Sequence, residues 1–345
     1  MNVLLIGMGI VAQTHILGLR DNVAGARLDA VLGRDPARTT TFCTAASETL
    51  GYKVAAVTDT VQALARNPDM ALLITPPDTR LNLARTLAEA GVPTLMEKPV
   101  ERGLDGARAV VAAYADCGVP LGLCFQHRTR AAARTLKDRL HSGSLGDVVH
   151  VEARVPWWRD QAYYDVPGRG TYARDGGGVM INQAIHTLDL ALWLAGPVAR
   201  VQALMRTSPL HRMEGEDIAA ALLHFRSGAS GVLTASTAAY PGAAESIAIT
   251  TTKGQVHLQG DHMQIDLTSG HSEATAPEAS TGTGGGADPM AFTHAWHQAM
   301  LEDFVTAAAH GRPPLAPPDE ALHVHAVIDA MEHAARTGHI TDVGA

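Results

Sequence analysis

Hydrophobic residues in the first 125 positions fall into short unbroken runs separated by longer stretches of helical spacing. The runs VLLIG (Val3–Gly7), RLDAVLG (Arg27–Gly33), MALLIT (Met70–Thr75), PTLMEK (Pro93–Lys98) and PLGLCF (Pro120–Phe125) are continuous rather than alternating. That pattern marks strands covered on both faces. Between them, VAQTHILGLRD, PARTTTFCTAASETL, TRLNLARTLAEAG and LDGARAVVAAYADCG carry apolar residues every three or four positions, and the last two end at glycine. Strands alternating with helices predict a doubly wound parallel sheet of nucleotide-binding type over residues 1–125.

From about Arg128 the pattern changes. A helical segment (Ala131–Leu140) leads into DVVHVEARVPWW, an aromatic and glycine-rich stretch, and a strong helix from about Asn182 to Leu194. The strand-like segments ARVQALMR, DIAAALLHF, ASGVLTAST, ESIAITTTKGQVHLQG and MQIDLT then follow one another with turn signals between them. Runs of strands after one helix predict an antiparallel or mixed sheet, hence an α+β second domain over residues 126–317. Ala274–Pro289 reads as a loop by composition. Two more helices follow, and the segment 318–345, beginning with the second of them, is expected to pack back on the first domain.

Composition narrows the partners. A chain of 345 residues with net charge -8 and no basic block points away from nucleic acid and anionic membranes. No apolar stretch approaches the roughly 20 residues of a membrane helix, and the apolar start lacks a positive flank and a cleavage site. Three cysteines without a CxxC favour a reducing compartment, so a cytoplasmic protein is expected. Seventeen histidines include the pairs His294/His297 and His323/His325, but neither belongs to a set with recognisable ligand spacing, and no metal is expected. Only four of the 27 basic residues are lysine. One of these, Lys98, ends an apolar strand and precedes Pro99, which draws attention because an ammonium is a compact donor with a tunable pKa.

Gly7, Gly9, Ile10, Val11 and Ala12 close the first strand and open a helix as G-x-G-x-x-A. The glycines permit a tight turn and close approach to a pyrophosphate, which the helix N-terminus attracts. At the end of the second strand, where a ribose is expected, the chain reads Gly33-Arg34-Asp35. No acid stands at the strand end itself, and Arg34 is suited to a 2′-phosphate, which favours NADP slightly over NAD. Thr75 and Pro76 form a stiff wall after another strand, and Lys98 stands at the same carboxyl edge, where open α/β sheets place ligands. In the second domain, Gly176–Gly178 precede a helix on which Asn182, His186 and Asp189 share a face by spacing. Asp189 either orients His186 or makes a hydrogen bond elsewhere.

The N-terminal glycine fingerprint, EKP at residues 97–99 and GGG…N…H..D near residue 180, in this order, resemble the glucose–fructose oxidoreductase/inositol dehydrogenase (Gfo/Idh/MocA) family along essentially the whole chain. The resemblance implies a Rossmann domain followed by a domain with an open, mostly antiparallel sheet, and an active site between them. It implies hydride transfer between a nicotinamide and a hydroxyl-bearing carbon of a sugar or polyol. Lys98 and His186 match the family's catalytic pair. Asn182 stands where most relatives have aspartate, and an amide cannot accept a proton at neutral pH, so the relay falls to Lys98 and His186. Glu97, Lys98 and Gln126 join the expected cofactor contacts. Lys98, Gln126, Arg128, Trp158, Tyr163, Asn182 and His186 are the expected substrate contacts.

The stretch from Trp157 to Tyr172 gathers five aromatic residues beside Arg159 and Arg169, in a chain only 4% aromatic. Such flat faces suit a sugar ring or an interface. Two other functions fit the same motifs: a redox-neutral NAD-dependent glycosidase, and a non-catalytic cofactor-binding sensor. A homo-oligomer, dimer or tetramer, is expected from the resemblance.

Overall fold

The structure is a computed structural model that describes residues 1–275 and 292–344. Residues 276–289 of the predicted loop lie outside the described residues. The first elements are β1 (Asn2–Ile6), α1 (Ala12–Asp21), β2 (Arg27–Leu32), α2 (Pro36–Leu50), β3 (Ala55–Val57) and α3 (Thr60–Leu64). They are followed by β4 (Met70–Leu73), α4 (Arg80–Glu89), β5 (Thr94–Glu97), α5 (Leu104–Cys117) and β6 (Leu121–Cys124). Then come α6 (Ala131–His141), β7 (Val148–Pro156), α7 (Gln161–Tyr164), α8 (Ile185–Ala195), β8 (Val198–Arg206), β9 (Ile218–Phe225) and β10 (Ser230–Ser236). The last are β11 (Ser246–Thr251), β12 (Gly254–Gln259), β13 (His262–Leu267), β14 (Ser272–Ala274), α9 (Ala295–His310), α10 (Pro318–Thr337) and β15 (Thr341–Asp342).

Met1–Glu101, Asp105–Gln126 and Thr293–Ala321 form one compact unit. Its sheet has six strands in the order β3-β2-β1-β4-β5-β6, and every pair is parallel. The strands β4, β5 and β6 are buried along their whole length, which is why they appear as unbroken apolar runs. Strand order reverses between β1 and β4, so the carboxyl ends of these two strands mark the switch point where such sheets take ligands. The edge strand β3 escapes sequence reading because Ala-Ala-Val is too short to form a run.

Arg102–Leu104, His127–Phe292 and Leu322–Ala345 form the second unit. Among the described residues its sheet has nine strands in the order β14-β13-β12-β11-β7-β10-β9-β8-β15, with only β7 and β10 parallel. Here the strands alternate: Val151, Ala153 and Val155 of β7 are buried while Glu152 and Arg154 are exposed. One face therefore needs cover, and the apolar α8 packs on β7 and β11.

The segment from residue 318 onward, expected to pack on the first domain, divides between the units. The boundary falls after Ala321, and the rest of α10 belongs to the second unit, where the Val198 N–H donates to His323 Nε2 (3.1 Å) and β15 extends the sheet beside β8. The helix that returns to the first unit is α9. Gly18 of α1 lets the two helices approach closely, since a Cβ there would lie 3.3 Å from the Gln298 backbone. His294 (2.8 Å, to Asp21) and Glu302 (2.9 Å, from the Val23 N–H) close the contact.

Candidate active site

Parallel pairing puts the ends of β1, β4 and β5 side by side on one edge of the first unit's sheet. The loop Gly7–Ala12 leaves β1, Thr75 and Pro76 follow β4, and Lys98 follows β5. Gly7 has φ +105°, and a Cβ there would meet the Thr75 backbone nitrogen at 3.0 Å, so glycine is required twice over. The helix α1 begins at Val11–Ala12 with no side-chain cap and no acid in its first turn, which leaves its positive end to an external anion. Ile10 is exposed beside it. Thr75 Oγ1 is buried without a hydrogen-bond partner among the described residues. A phosphate-bearing dinucleotide fits both features.

At the ribose end, Gly33 is buried against Met8 and Thr39, and Arg34 is exposed. The Asp35 carboxylate accepts from the Arg38 N–H (2.9 Å) and caps α2. Arg38, unnoticed in the sequence, donates from Nη2 to Met8 O of the glycine loop (3.0 Å) and so brings a second guanidinium to this end.

Glu97, one of the expected cofactor contacts, turns its carboxylate to two histidines: Oε1 lies 2.9 Å from His15 Nε2 and 3.4 Å from His297 Nε2. Burial alone would raise this carboxyl's pKa; the hydrogen bonds from the two imidazoles outweigh it and hold the group well below the usual range. Burial pushes His297 down and Cys124 well up, with Glu97 adding to the cysteine's rise. His15, Glu97, Cys124 and His297 place their donor atoms within 4.8 Å of one another, a set chemically able to hold a metal ion that sequence spacing did not reveal. Lys98 is half-buried next to this group, and its charge acts on both His297 and Cys124. Gln126, the other expected contact of this unit, is buried at the start of the turn after β6.

In the second unit, three glycines and one acid set the start of the histidine helix. Gly176 (φ +85°) lies against the Arg102 backbone, and a Cβ on Gly178 would overlap the Glu216 backbone. The Glu216 carboxylate accepts from the Gly178 N–H (3.1 Å) and the Met180 N–H (2.8 Å). The chain then makes a π turn over Met180–Ala184 before α8 proper begins. Asn182, half-buried in that turn, donates its amide to Gly177 O (2.9 Å) and Gly178 O (3.0 Å). His186 is buried and stacks on His127, with ring centroids 4.9 Å apart.

Arg128 and Asp189 answer a question left open by the sequence. They form a bidentate pair (Nε–Oδ2 2.9 Å, Nη2–Oδ1 2.5 Å) with side chains 1% and 0% exposed. At Arg128, expected as a substrate contact, the guanidinium pairs with Asp189, and the pair braces α8 from within. The aromatic stretch divides similarly. Trp157 and Tyr164 are core residues, Trp158 and Tyr163 are half-buried, and Tyr172 is exposed. Tyr163 carries the Arg169 guanidinium 4.1 Å above its ring and accepts from Gln183 Nε2 (3.2 Å), which ties this platform to the π turn.

Comparison with known proteins matches both parts of the chain to one family. Residues 1–125 match the family described as "Oxidoreductase family, NAD-binding Rossmann fold", and residues 133–257 match the "GFO/IDH/MocA C-terminal domain". A D-apiose dehydrogenase of Rhizobium rhizogenes is 26% identical over 99% of this chain and 97% of its own. Another from Paraburkholderia graminis is 30% identical over 68% of this chain and 60% of its own. The WlbA dehydrogenase of Bordetella pertussis, solved with NADH and UDP-GlcNAcA, superposes with a TM-score of 0.83 at 26% identity, covering 100% of this chain and 98% of that one. Among the described residues, no helix is long and apolar enough to cross a membrane.

Proposed function

The chain belongs to the Gfo/Idh/MocA family of NAD-binding oxidoreductases, and on that premise we propose that it oxidises or forms a hydroxyl-bearing carbon of a sugar, inositol or related polyol. One observation carries the reading: the glycine loop, Thr75 and Lys98 occupy the carboxyl ends of three neighbouring parallel strands. A nicotinamide, when bound, accepts or returns the hydride. The chain's own residues manage the proton and the oxygen. Lys98 donates a hydrogen bond to the substrate oxygen and stabilises the alkoxide as it develops. His186 takes the hydroxyl proton in oxidation and returns it in reduction. Asn182 orients the substrate, since its amide has no proton to trade at neutral pH. Gln126, Trp158 and Tyr163 contact the polyol, and Arg128 supports the site through Asp189 and α8.

The relatives named for D-apiose and the WlbA complex with a nucleotide sugar support a carbohydrate hydroxyl. For the cofactor, Arg34 and Arg38 support NADP over NAD. The protein works as a cytoplasmic homo-oligomer in this reading, and light scattering on the purified chain checks the assembly. The test is a screen of sugars, inositols and sugar acids with NAD and with NADP, following reduced-nicotinamide absorbance. Stoichiometric reduction with a polyol and a higher kcat/KM for NADP is expected. Glycoside cleavage without net absorbance change, or no turnover with any polyol, overturns the dehydrogenase.

A further inference from the structure

The sheet stops holding the chain just where Lys98 begins. The last register pairs are Leu73 with Met96 on one side of β5 and Glu97 with Cys124 on the other. Pro99 has no N–H with which to continue a ladder. Beyond that point the carbonyls are gathered by Arg80, the first residue of α4, which is 2% exposed. Its Nε and Nη2 donate to Thr75 O (2.9 and 2.7 Å), and its Nη1 donates to Glu97 O and to Pro99 O. One guanidinium thus grips the residue before Lys98, the residue after it, and the end of the neighbouring strand. A cation at a helix N-terminus opposes the helix dipole, and burial lowers this guanidinium to about 10. Its fork meets the backbone carbonyls of Thr75, Glu97 and Pro99, so its service here is geometric.

The side chain next to Lys98 is fixed as firmly. Glu97 is held by His15 from α1 and His297 from α9, whose rings meet edge-on with centroids 5.2 Å apart. A divalent ion in this His, His, Cys, Glu set would sit close to the Arg80 and Lys98 cations, whose charge opposes it. The hydrogen-bonded arrangement keeps the Glu97 carboxylate satisfied without added positive charge.

We propose that Arg80 and Glu97 are positioning residues for Lys98, a clamp in which Arg80 fixes the backbone on both sides of the lysine and Glu97 locks the strand end between His15 and His297. The proposal rests on the reading of Lys98 as the group that meets the substrate oxygen. A lysine displaced by an ångström loses alignment with the reacting oxygen while cofactor and substrate still bind, so the effect belongs in kcat.

The experiment compares Arg80→Gln, Arg80→Lys, Glu97→Gln and Lys98→Ala for thermal midpoint, affinity for NADPH and NADH by fluorescence, kcat, KM and metal content. Folded Arg80→Gln and Glu97→Gln are expected to bind the preferred reduced cofactor within a few-fold of the parent and to lose about 10- to 100-fold in kcat at nearly constant KM. Arg80→Lys recovers part of that loss, because an ammonium reaches one carbonyl and not the fork. If Arg80→Gln does not fold, Arg80→Lys and Glu97→Gln decide the matter. Parental kcat in both folded variants, with only the thermal midpoint changed, overturns the clamp. So does one equivalent of zinc in the purified protein that Glu97→Gln lacks. Parental turnover in Lys98→Ala overturns the functional reading of Lys98 itself, an outcome distinct from a failed clamp.

Discussion

Glu97 and Glu216 are each 5% exposed, and each adjoins an element proposed for catalysis. Glu97 directly precedes Lys98, and Glu216 holds the glycines that begin the histidine helix. Burial pushes both carboxyls up. At Glu97 two imidazole donors reverse the push, and Arg80 stands near as a cation. At Glu216 the backbone N–H groups of Met180 and Gly178 oppose it without overcoming it, and Asp217 adds a like charge. The same side chain at the same exposure therefore ionises readily in one place and reluctantly in the other. The difference is one of construction: the lysine end is assembled from side-chain charges, while the start of the histidine helix is shaped by close backbone contacts around glycine.

Removing the two groups proposed for catalysis breaks the comparison most severely. Lys98→Ala and His186→Ala are each expected to lower kcat by about 10^2- to 10^4-fold while the protein stays folded. Turnover with the best polyol from the screen, together with circular dichroism, checks this, and near-parental turnover in either variant refutes its role. The next effect is on stability. Asp189→Ala removes the carboxylate paired with the buried Arg128 guanidinium, with an expected loss of about 3–5 kcal/mol. In a unit of this size that lowers the thermal midpoint by roughly 10 °C. A drop of one or two degrees would mean that water or another group takes over the guanidinium, and that α8 has a second brace.

Asn182 tests whether the histidine end is as dependent on backbone as it looks. Its amide donates to two glycine carbonyls, which an ionised aspartate has no donor to do. Asn182→Asp places a carboxylate against both, with an expected cost of about 1–3 kcal/mol and a lower kcat despite the added base. Urea unfolding and steady-state kinetics read the two effects. A variant as stable and as active as the parent would show that amide donation is dispensable. The resemblance made Asn182 look like a lost proton acceptor, whereas the structure makes it a donor that shapes the π turn.

What was legible in the sequence follows the range over which spacing carries information. Strands β1, β4, β5 and β6 stood out because parallel pairing under helices buries both of their faces. Lys98 stood out through the scarcity of lysine and its place before Pro99, and His186 through the glycines upstream. The partners of these residues were hidden. His15, Arg80 and His297 meet the strand end from three helices distant in the chain, and periodicity relates only residues a turn or two apart. The π turn is hidden because the spacing through Asn182 also fits an unbroken 3.6-residue period. The exchange of α9 for α10 as the helix returning to the first unit had a similar cause: both are amphipathic, and only the close approach at Gly18 selects one.

The smallest effect is the one that separates the two glutamates most cleanly. Glu332 on α10 carries the acidic character of the Glu216 neighbourhood outward: burial, then Glu216 and Asp329, raise its carboxyl from 4.5 to about 7, against the pull of Arg336. The fold favours its protonated form. This group therefore costs nothing at low pH, where both states hold the proton, and its penalty grows as pH rises from 4.5 through 7 and the folded carboxyl is forced to ionise. Glu332→Gln removes that penalty, so the variant should exceed the parent in stability above pH 7 by on the order of 1 kcal/mol, allowing for partial solvent screening. The advantage should vanish toward pH 4.5. Glu97 has the opposite sign: its contribution is present above the same unfolded value and is lost as pH falls, so Glu97→Gln is most harmful at neutral pH. Urea midpoints of both variants at pH 8 and pH 5 measure the two slopes. Slopes of the same sign would mean that donor type and neighbouring charge do not set the ionisation of these acids, and the contrast between the two ends would fall.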